Sequence, residues 1–530
     1  MIVSMPSLTF YGGVNEIGGN KVLLEEGNTT LFFDFGTSFA RRYQYFEEYL
    51  KPRASAGLLD LLEMGLLPPL RGIYRDDLAG KAPWHRFESS PFYRELGIDG
   101  VLLSHAHVDH SGYISFLRED IPIYSTSMSA FIAKAMQDSG KGDFEKEVCY
   151  SIPKEEVAGV LQATSWQREK AQQRPFRVLD SPSFSREALE FWKKTSGGRR
   201  LSPRPLEAVG RVGALPLQSF PVDHSIFGAT AFAVETSSGW VVYTGDLRLH
   251  GRRGYLLEEF IDSATQLRPA VLICEGTNVE NSDIVVSEEE VYTKALKTVK
   301  EAKALVIADF GPRNVERLLI FRQVAEETSR CLVISSKDAY LLKAMRYVSP
   351  EVPDIASDTV IHIYKDAKAR LDKWEDEIRE EYQSKLVTPE EIRQHQCSYI
   401  LCFSFFDIDE LPDIMPQKGS IYIYSSSEAH SEEQVMDQWR LHNWLEHFGI
   451  QAVGLPVQQD DGKWVIPQND RGLHASGHAR GPELLDLIRN IAPKTLLPIH
   501  TEHPNYFVRN LEGSGIEVRL LEYGERTSFP

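Results

Sequence analysis

The stretch VLLSHAHVDHSGYISFL, residues 101–117, sets His105, His107, Asp109 and His110 within six positions, between an apolar run and an amphipathic one. DGVLLS predicts a strand that delivers the cluster on its exit loop, and SGYISFLRE resumes with helical spacing. In an extended exit segment, residues two apart point the same way, so His105 and His107 can close on one ion. Asp109 and His110 fall where the chain turns into the helix and can face a second ion beside the first. Imidazole and carboxylate suit zinc or manganese, and the lack of thiolate argues against a structural zinc finger. A lone histidine would read as an accident of the surface; four ligand-type residues on one strand exit do not.

Outward from this cluster, the first third of the chain reads as short strands. SLTFYGG, NKVLLEEG and TTLFFDFG predict a mostly antiparallel start. LPLQSFPVDHS, TAFAVETSSGWVVYTGDLRLHG and PAVLICEGT continue the sheet pattern to about residue 277. From about residue 287 helices alternate with apolar strands (SEEEVYTKALKTVKEA, ALVIADF, NVERLLIFRQVAEETS, CLVISS), which predicts a second, parallel, helix-covered sheet. YILCFSFF, SIYIYSS and a long helix SEEQVMDQWRLHNWLEHFG continue it, and GPELLDLIRNIAPKTLLPIH closes with a helix and a strand ending at His500. Residues 41–98 and 141–210 are irregular and rich in Arg, Pro and Ser, and read as insertions forming a rim. KDAKARLDKWEDEIREEYQSK reads as a solvated helix face.

At 530 residues the chain is too long for one ordinary core, so two or more domains are expected. A net charge of −18 argues against a protein that coats polyanions. It does not exclude a nuclease, because divalent metals and local Arg clusters make a positive cleft on an acidic body. Cys149, Cys274, Cys331, Cys397 and Cys402 form no CxxC pair and fit a reduced cytoplasm. The opening residues lack the features of a secretory signal, and no apolar run reaches bilayer-spanning length. A cytoplasmic protein with no membrane partner is therefore expected.

Asp34 in LFFDFG, the H-x-H-x-D-H cluster, His224 in FPVDHSIFG and Asp246 in VVYTGD follow one another in the order of the metallo-β-lactamase superfamily, which the chain resembles. The resemblance implies that His105, His107 and His224 take one metal, Asp109 and His110 the other, that Asp246 bridges both, and that Asp34 holds the ligand loop from behind. Glu275 in LICEGTN, His478 in HASGHARGPEL and His500 in LLPIH resemble the later motifs of the β-CASP nucleases, which insert an α/β domain after the bridging aspartate and supply the last ligand beyond it. GGVNEIGGN, DHSIFGATAFAVET and HASGHA look most like the ribonuclease J branch. The implied fold is an α/β metallo-β-lactamase αββα sandwich over residues 1–284, an inserted β-CASP α/β domain over 285–470, and a return segment over 471–530 that completes the sandwich.

The implied chemistry is hydrolysis of a phosphodiester by two divalent ions, zinc ahead of manganese. Such a pair activates water near neutral pH and clamps the phosphate during in-line attack. Catalytic roles then fall to Asp109, Asp246, Glu275 and His478, with His478 as proton donor or phosphate contact. Ser476 and Gly477, ahead of a helix, can receive phosphate. His250, His430, His474 and His503 lie near motifs without matching a ligand position, and His474 is the one of these closest to a substrate role. Where the family has a serine-containing turn that helps hold a 5′ phosphate, this chain has ADFGPRNVERL, so either Arg313 or Arg317 replaces that contact or the exonucleolytic polarity has changed. Thirty residues follow His500 where the family often carries a further C-terminal domain, so its usual oligomer contacts are expected to be missing, with a homodimer left open. The expected substrate is single-stranded RNA with a 5′ monophosphate, cut by a 5′ to 3′ exonuclease with endonuclease activity as an added mode. A DNA nuclease, or a hydrolase of a small ester or lactone on the same scaffold, is the second reading. An inactive RNA-binding scaffold subunit is the third.

Overall fold

A computed structural model describes residues 5–47, 49–80, 84–140, 144–180, 183–281, 285–426, 432–459 and 462–529, so His430 lies outside the described residues. Ser7–Phe10, Val22–Glu26 and Thr29–Phe33 pair antiparallel, as their Gly punctuation predicts. The sheet then continues in parallel through Gly100–Leu102, Ile123–Ser125, Phe176–Val178 and Glu207–Ala208, and Arg526–Ser528 pairs on its other edge, against Ser7–Phe10. A second sheet of seven strands runs in the order Arg211–Val212, Leu215–Pro221, Thr230–Thr236, Gly239–Tyr243, Val271–Glu275, Thr495–Ile499 and Glu517–Val518.

The two sheets face each other. Leu31 and Phe33 join Phe232, Val234, Tyr243, Ile273 and Leu497 in the interior, while Phe32 between them turns to the opposite face and a helix-covered cluster. The outer face of the second sheet carries helices Tyr255–Leu267, Gly481–Ile491 and Asn505–Leu511. Gly481–Ile491 shows why: Leu484, Leu487, Ile488 and Ile491 recur at helical spacing and are all buried, each contributing about 1.5–3 kcal/mol. Helix Ser127–Ser139 packs on the first sheet through Ala130, Phe131 and Ile132. The result is the αββα sandwich.

A further sheet of seven strands spans Val306–Asp309 to Gln451–Val453, and every pairing in it is parallel. Its central strands are apolar but for Asp309 at the end of Val306–Asp309, as a sheet covered on both faces requires. The two halves of the molecule meet at helices Ser127–Ser139 and Ser336–Arg346, where the Tyr340 hydroxyl donates to Asp138 (3.0 Å). Among the described residues, no helix is long and apolar enough to cross a membrane.

Three readings from sequence need correction. SGYISFLRE forms no regular helix: a short helix Val108–Ser111 is followed by a 3-10 turn, Gly112–Phe116, whose five residues are all buried. The irregular stretches are more than a rim. Phe176–Val178 and Glu207–Ala208 extend the first sheet, and Leu58, Leu61, Leu67 and Leu70 sit in the main core. The charged run is not a solvated face either, because helix Lys373–Glu381 buries Trp374 and Ile378, with Trp374 edge-on to Tyr340 at 5.5 Å.

Candidate metal centre

The loops that follow Gly100–Leu102, Leu215–Pro221 and Gly239–Tyr243, and the ends of Val271–Glu275 and Thr495–Ile499, converge at one edge of the sandwich. There His105, His107 and His224 form one group and Asp109, His110, Asp246 and His500 another, each with ligand atoms within 4.8 Å of one another. Asp246 reaches both, with Oδ2 at 3.8 Å from His105 Nε2, 3.7 Å from His224 Nε2 and 3.2 Å from His110 Nε2, and Oδ1 at 3.8 Å from His500 Nε2.

Hydrogen bonds behind the ligands decide which nitrogen faces the centre. His110 Nδ1 donates to Asp34 Oδ2 (2.7 Å), and His224 Nδ1 donates to the Gly477 carbonyl (2.6 Å). Ser104 Oγ gives its proton to Asp34 (2.8 Å), so it accepts from His105 Nδ1 (3.0 Å). Thr277 Oγ1 gives its proton to Glu275 (2.8 Å) and accepts from His500 Nδ1 (2.8 Å). In each case Nε2 is left with a free lone pair aimed inward. Asp34 also accepts from Ser104 N and Tyr243 Oη, and holds φ at 51°, a left-handed conformation that a non-glycine residue keeps only where its surroundings over-determine it. His500 does the same at φ 55°, its N–H donating to Gly13 O (2.7 Å). The glycine-rich opening loop also packs on the aspartate: a Cβ at Gly18 would lie 2.8 Å from Asp109 Cβ.

The donor set fits divalent cations. His110 Nε2 and Asp246 Oδ1 are buried with no hydrogen-bond partner among the described residues. Burial drives His105 and His224 well below the usual imidazole range and His107 to about 3, favouring the neutral form that ligates metal. At His110 burial is overridden by Asp246, Asp34 and Asp109, which raise it well above its usual value; these carboxylates favour positive charge at that point. Asp109 responds in kind, since against the effect of burial His110 and His500 hold it well below the carboxylate range.

His478 sits over the centre, its ring 5.1 Å from His224 and 5.6 Å from His500, and Nδ1 donates to Glu275 Oε2 (3.0 Å). Burial lowers its pKa, but Glu275 and Asp246 outweigh this and raise it to about 9. Glu275 is fully buried, and its other oxygen accepts from Leu247 N (2.6 Å), so it ties His478 to the turn that carries Asp246. His250 donates to Ser476 O (2.8 Å) and fixes the same loop, whereas His503 is half exposed beside Glu280.

Two residues expected to meet substrate are engaged elsewhere. Arg317, 1% exposed, is bidentate to Glu288 at 2.9 Å and also donates to the carbonyls of Ser425 and Leu473. It sits on the inner face of helix Val315–Glu327, in a buried network in which Arg248 joins Glu288, Glu316 and Asp223. His474 has both ring nitrogens against backbone carbonyls, Ser426 at 2.8 Å and Gly454 at 2.9 Å. Arg313 is different: it faces the cavity between the domains, and its charge is felt at His107 and Asp109. Ser476 Oγ accepts from Asn278 Nδ2 (2.6 Å) and from His478 N (3.1 Å), leaving its own proton to give. A Cβ at Gly477 would lie 2.9 Å from Ser225 Oγ, so glycine keeps that hydroxyl accessible. Ser225, Asn278, Thr277 and Ser104 carry no signal in the sequence; only Ser225, next to His224, stood where suspicion could fall.

Residues 465–521 match the family described as the Zn-dependent metallo-hydrolase RNA specificity domain. The chain is 22% identical to ribonuclease J of Mycolicibacterium smegmatis over 93% of its own length and 68% of the relative's. It is 22% identical to that of Corynebacterium glutamicum, over 93% and 53%, and 20% identical to that of Mycoplasma pneumoniae, over 97% and 72%. The chain thus spans roughly half to seven-tenths of these relatives. A crystal structure of a protein of unknown function from Enterococcus faecalis V583 shares the fold, with a TM-score of 0.66 and 22% identity over 99% of this chain and 100% of that one. Fold, donor set and these likenesses together make the chain similar to the ribonuclease J-like β-CASP branch of the metallo-β-lactamase superfamily, a group of metal-dependent hydrolases.

Proposed function

We propose that this protein is a two-metal phosphodiesterase that degrades single-stranded RNA from a 5′ monophosphate end, with zinc as its metal. One observation carries the reading: seven donors converge, with the Asp246 carboxylate within 4 Å of His105, His110, His224 and His500. His105, His107 and His224 would hold one ion, Asp109, His110 and His500 the other, and Asp246 both. When bound, such a pair supplies activated water and charge stabilisation at the phosphorane-like transition state. The predominance of imidazole, five of the seven donors, favours zinc over manganese.

The chain's own groups supply the rest. His478, held by Glu275, presents its remaining N–H to the leaving oxygen and protonates it. Asp34 keeps His110 oriented through the Nδ1 hydrogen bond. The Ser476 hydroxyl and the backbone around Gly477, beside Ser225, offer donors to a terminal phosphate, and Arg313 adds charge from the opposite domain. The whole-chain likeness to proteins named ribonuclease J supports RNA over DNA.

The test is degradation of end-labelled RNA and DNA of one sequence, carrying 5′ monophosphate, triphosphate or hydroxyl ends, in zinc and in manganese, with circular RNA alongside. Mononucleotide release from 5′ monophosphate RNA ahead of the others is expected. Equal rates on every end and on circular RNA would replace the exonuclease with an endonuclease, and faster DNA cleavage would overturn the substrate.

A further inference from the structure

Besides the cavity between the domains, a smaller one of about 390 Å³ opens on the sandwich where the first irregular stretch meets the C-terminal segment. Its lining comes from residues between Arg41 and Phe92 and from Tyr523, and it shares none of them with the interdomain cavity. The short helix Phe39–Tyr43 divides the two: Phe39 and Arg42 face the interdomain cavity, and Arg41 faces this one. At the lower end of the size range of small-molecule sites, it has room for one ring on a short chain and not for a polynucleotide.

Its walls are aromatic and aliphatic. Phe92 stands edge-on to Tyr523 at 5.0 Å, and Tyr523 edge-on to Tyr11 at 6.0 Å, so the rings hold one another in place. Phe87, Leu62 and Leu67 add apolar surface. The Arg41 guanidinium lies over the Tyr523 ring, 4.7 Å from its centroid, with Nε 3.1 Å from Glu16 Oε2. Among the described residues its two Nη nitrogens have no hydrogen-bond acceptor. A guanidinium fixed in this way presents a pair of N–H donors that matches a carboxylate. The second charge of a phosphate would find no further cation in the lining, which holds Glu63 instead.

From Arg41 the contacts run to the metal centre. Glu16, 6% exposed, accepts from Gly13 N (3.1 Å) and from Ser38 Oγ (2.5 Å). The same loop holds two metal donors: Gly13 O accepts from His500 N (2.7 Å), and Gly19 N donates to Asp109 O (3.0 Å). A ligand carboxylate competes with Glu16 for the guanidinium, so filling the cavity disturbs the loop that positions both.

We propose that this cavity is an effector site for an aromatic monocarboxylate, its ring among Phe87, Phe92 and Tyr523 and its carboxylate on the Arg41 Nη pair, and that its occupancy weakens the hold of Asp109, His110 and His500 on their metal. The site does not depend on which bond the centre cuts.

The probe is 3-phenylpropanoate, titrated calorimetrically into the metal-loaded full chain, with 3-phenylpropanamide and inorganic phosphate as the uncharged and ring-free controls. Arg41→Gln removes the cation, and Gln44→Glu sets a second acid in the lining at an exposed position. Each is expected to weaken binding at least about tenfold, the loss of one charge-assisted contact, and both controls should bind more weakly than the acid by a similar factor. Unchanged affinity in Gln44→Glu overturns the proposal even if Arg41→Gln fails to fold, and so does amide or phosphate that binds as tightly as the acid. Because linkage is reciprocal, the metal-free chain should bind the acid at least about fivefold more tightly, and saturating acid should lower zinc affinity by the same factor in a chelator competition. Acid held directly by the metals would behave in the opposite way, lost from the metal-free chain and unmoved in both variants, and that result overturns the site. Equal affinity with and without metal overturns the effector role.

Discussion

Replacing Arg317 by methionine separates a phosphate receptor from a strut. The guanidinium is 1% exposed and holds both oxygens of Glu288, which is itself fully buried. Removing one member of a buried ion pair costs about 3–5 kcal/mol, because the other is left charged without water. Glu288 keeps Arg248 at 3.0 Å, and Ser425 Oγ still donates to Leu473 O, so the lower end, about 3 kcal/mol, applies. That is more than a hundredfold in the equilibrium for opening this part of the molecule. Urea denaturation should show a lowered midpoint, while the ratio of rates on 5′ monophosphate and 5′ hydroxyl RNA stays as in the parent. Adding Glu288→Gln should recover part of the loss by removing the stranded carboxylate. A parental midpoint together with a collapsed 5′ preference would refute this reasoning and return Arg317 to the substrate.

Asp246→Ala should abolish hydrolysis and lower the bound metal per chain, read by elemental analysis, with the fold retained by circular dichroism; two tightly held ions in the variant would contradict its bridging position. His478→Ala should slow turnover about 10²–10⁴-fold with metal content unchanged. Metal loss would instead make His478 a ligand, and Glu275→Gln should reproduce part of the slowing. Asp309, buried with its carboxyl accepting from Tyr422 Oη (2.6 Å), is pushed up to about 7 by burial. Its folded pKa lies above the unfolded one, so the folded state binds the extra proton and stability falls as pH rises from about 4 to 7. Asp309→Asn should flatten that slope in urea titrations and be the more stable protein at pH 8.

The candidate metal ligands converge where the structure brings strand ends together, and strand ends are written in local apolar pattern. His105 and His107 needed only the period of two, whereas His224, Asp246 and His500 entered through the resemblance to an ordered set of family motifs, each at the end of an apolar run. What orients those ligands was not legible. Ser104, Thr277 and Asn278 act through partners far along the chain, and no local pattern marks a hydroxyl that accepts from one histidine while donating to an acid. Arg317 was misplaced because charge near a strand exit reads as exposed, while the inward face of its helix is set by where Glu288 and Ser425 lie. Trp374 and Ile378, four apart in the charged run, did carry a helical signal, outweighed there by the acids and lysines between them. Phe176–Val178 and Glu207–Ala208 are too short for alternation to show, so their place in the first sheet follows only from pairing.

The strand Thr495–Ile499 lies against Val271–Glu275, yet more than two hundred residues separate them in the chain. During synthesis His105, His107, His224 and Asp246 therefore emerge well before His500, and at about 5–20 residues per second the wait from Asp246 to His500 is roughly 10–50 s. Through that interval the ribosome carries an incomplete catalyst that lacks both His478 and the last ligand. On the proposed reading a nascent chain in that state would lack its proton donor and one metal donor, and the centre would be complete only once the intervening domain has been made and the sheet has closed behind it.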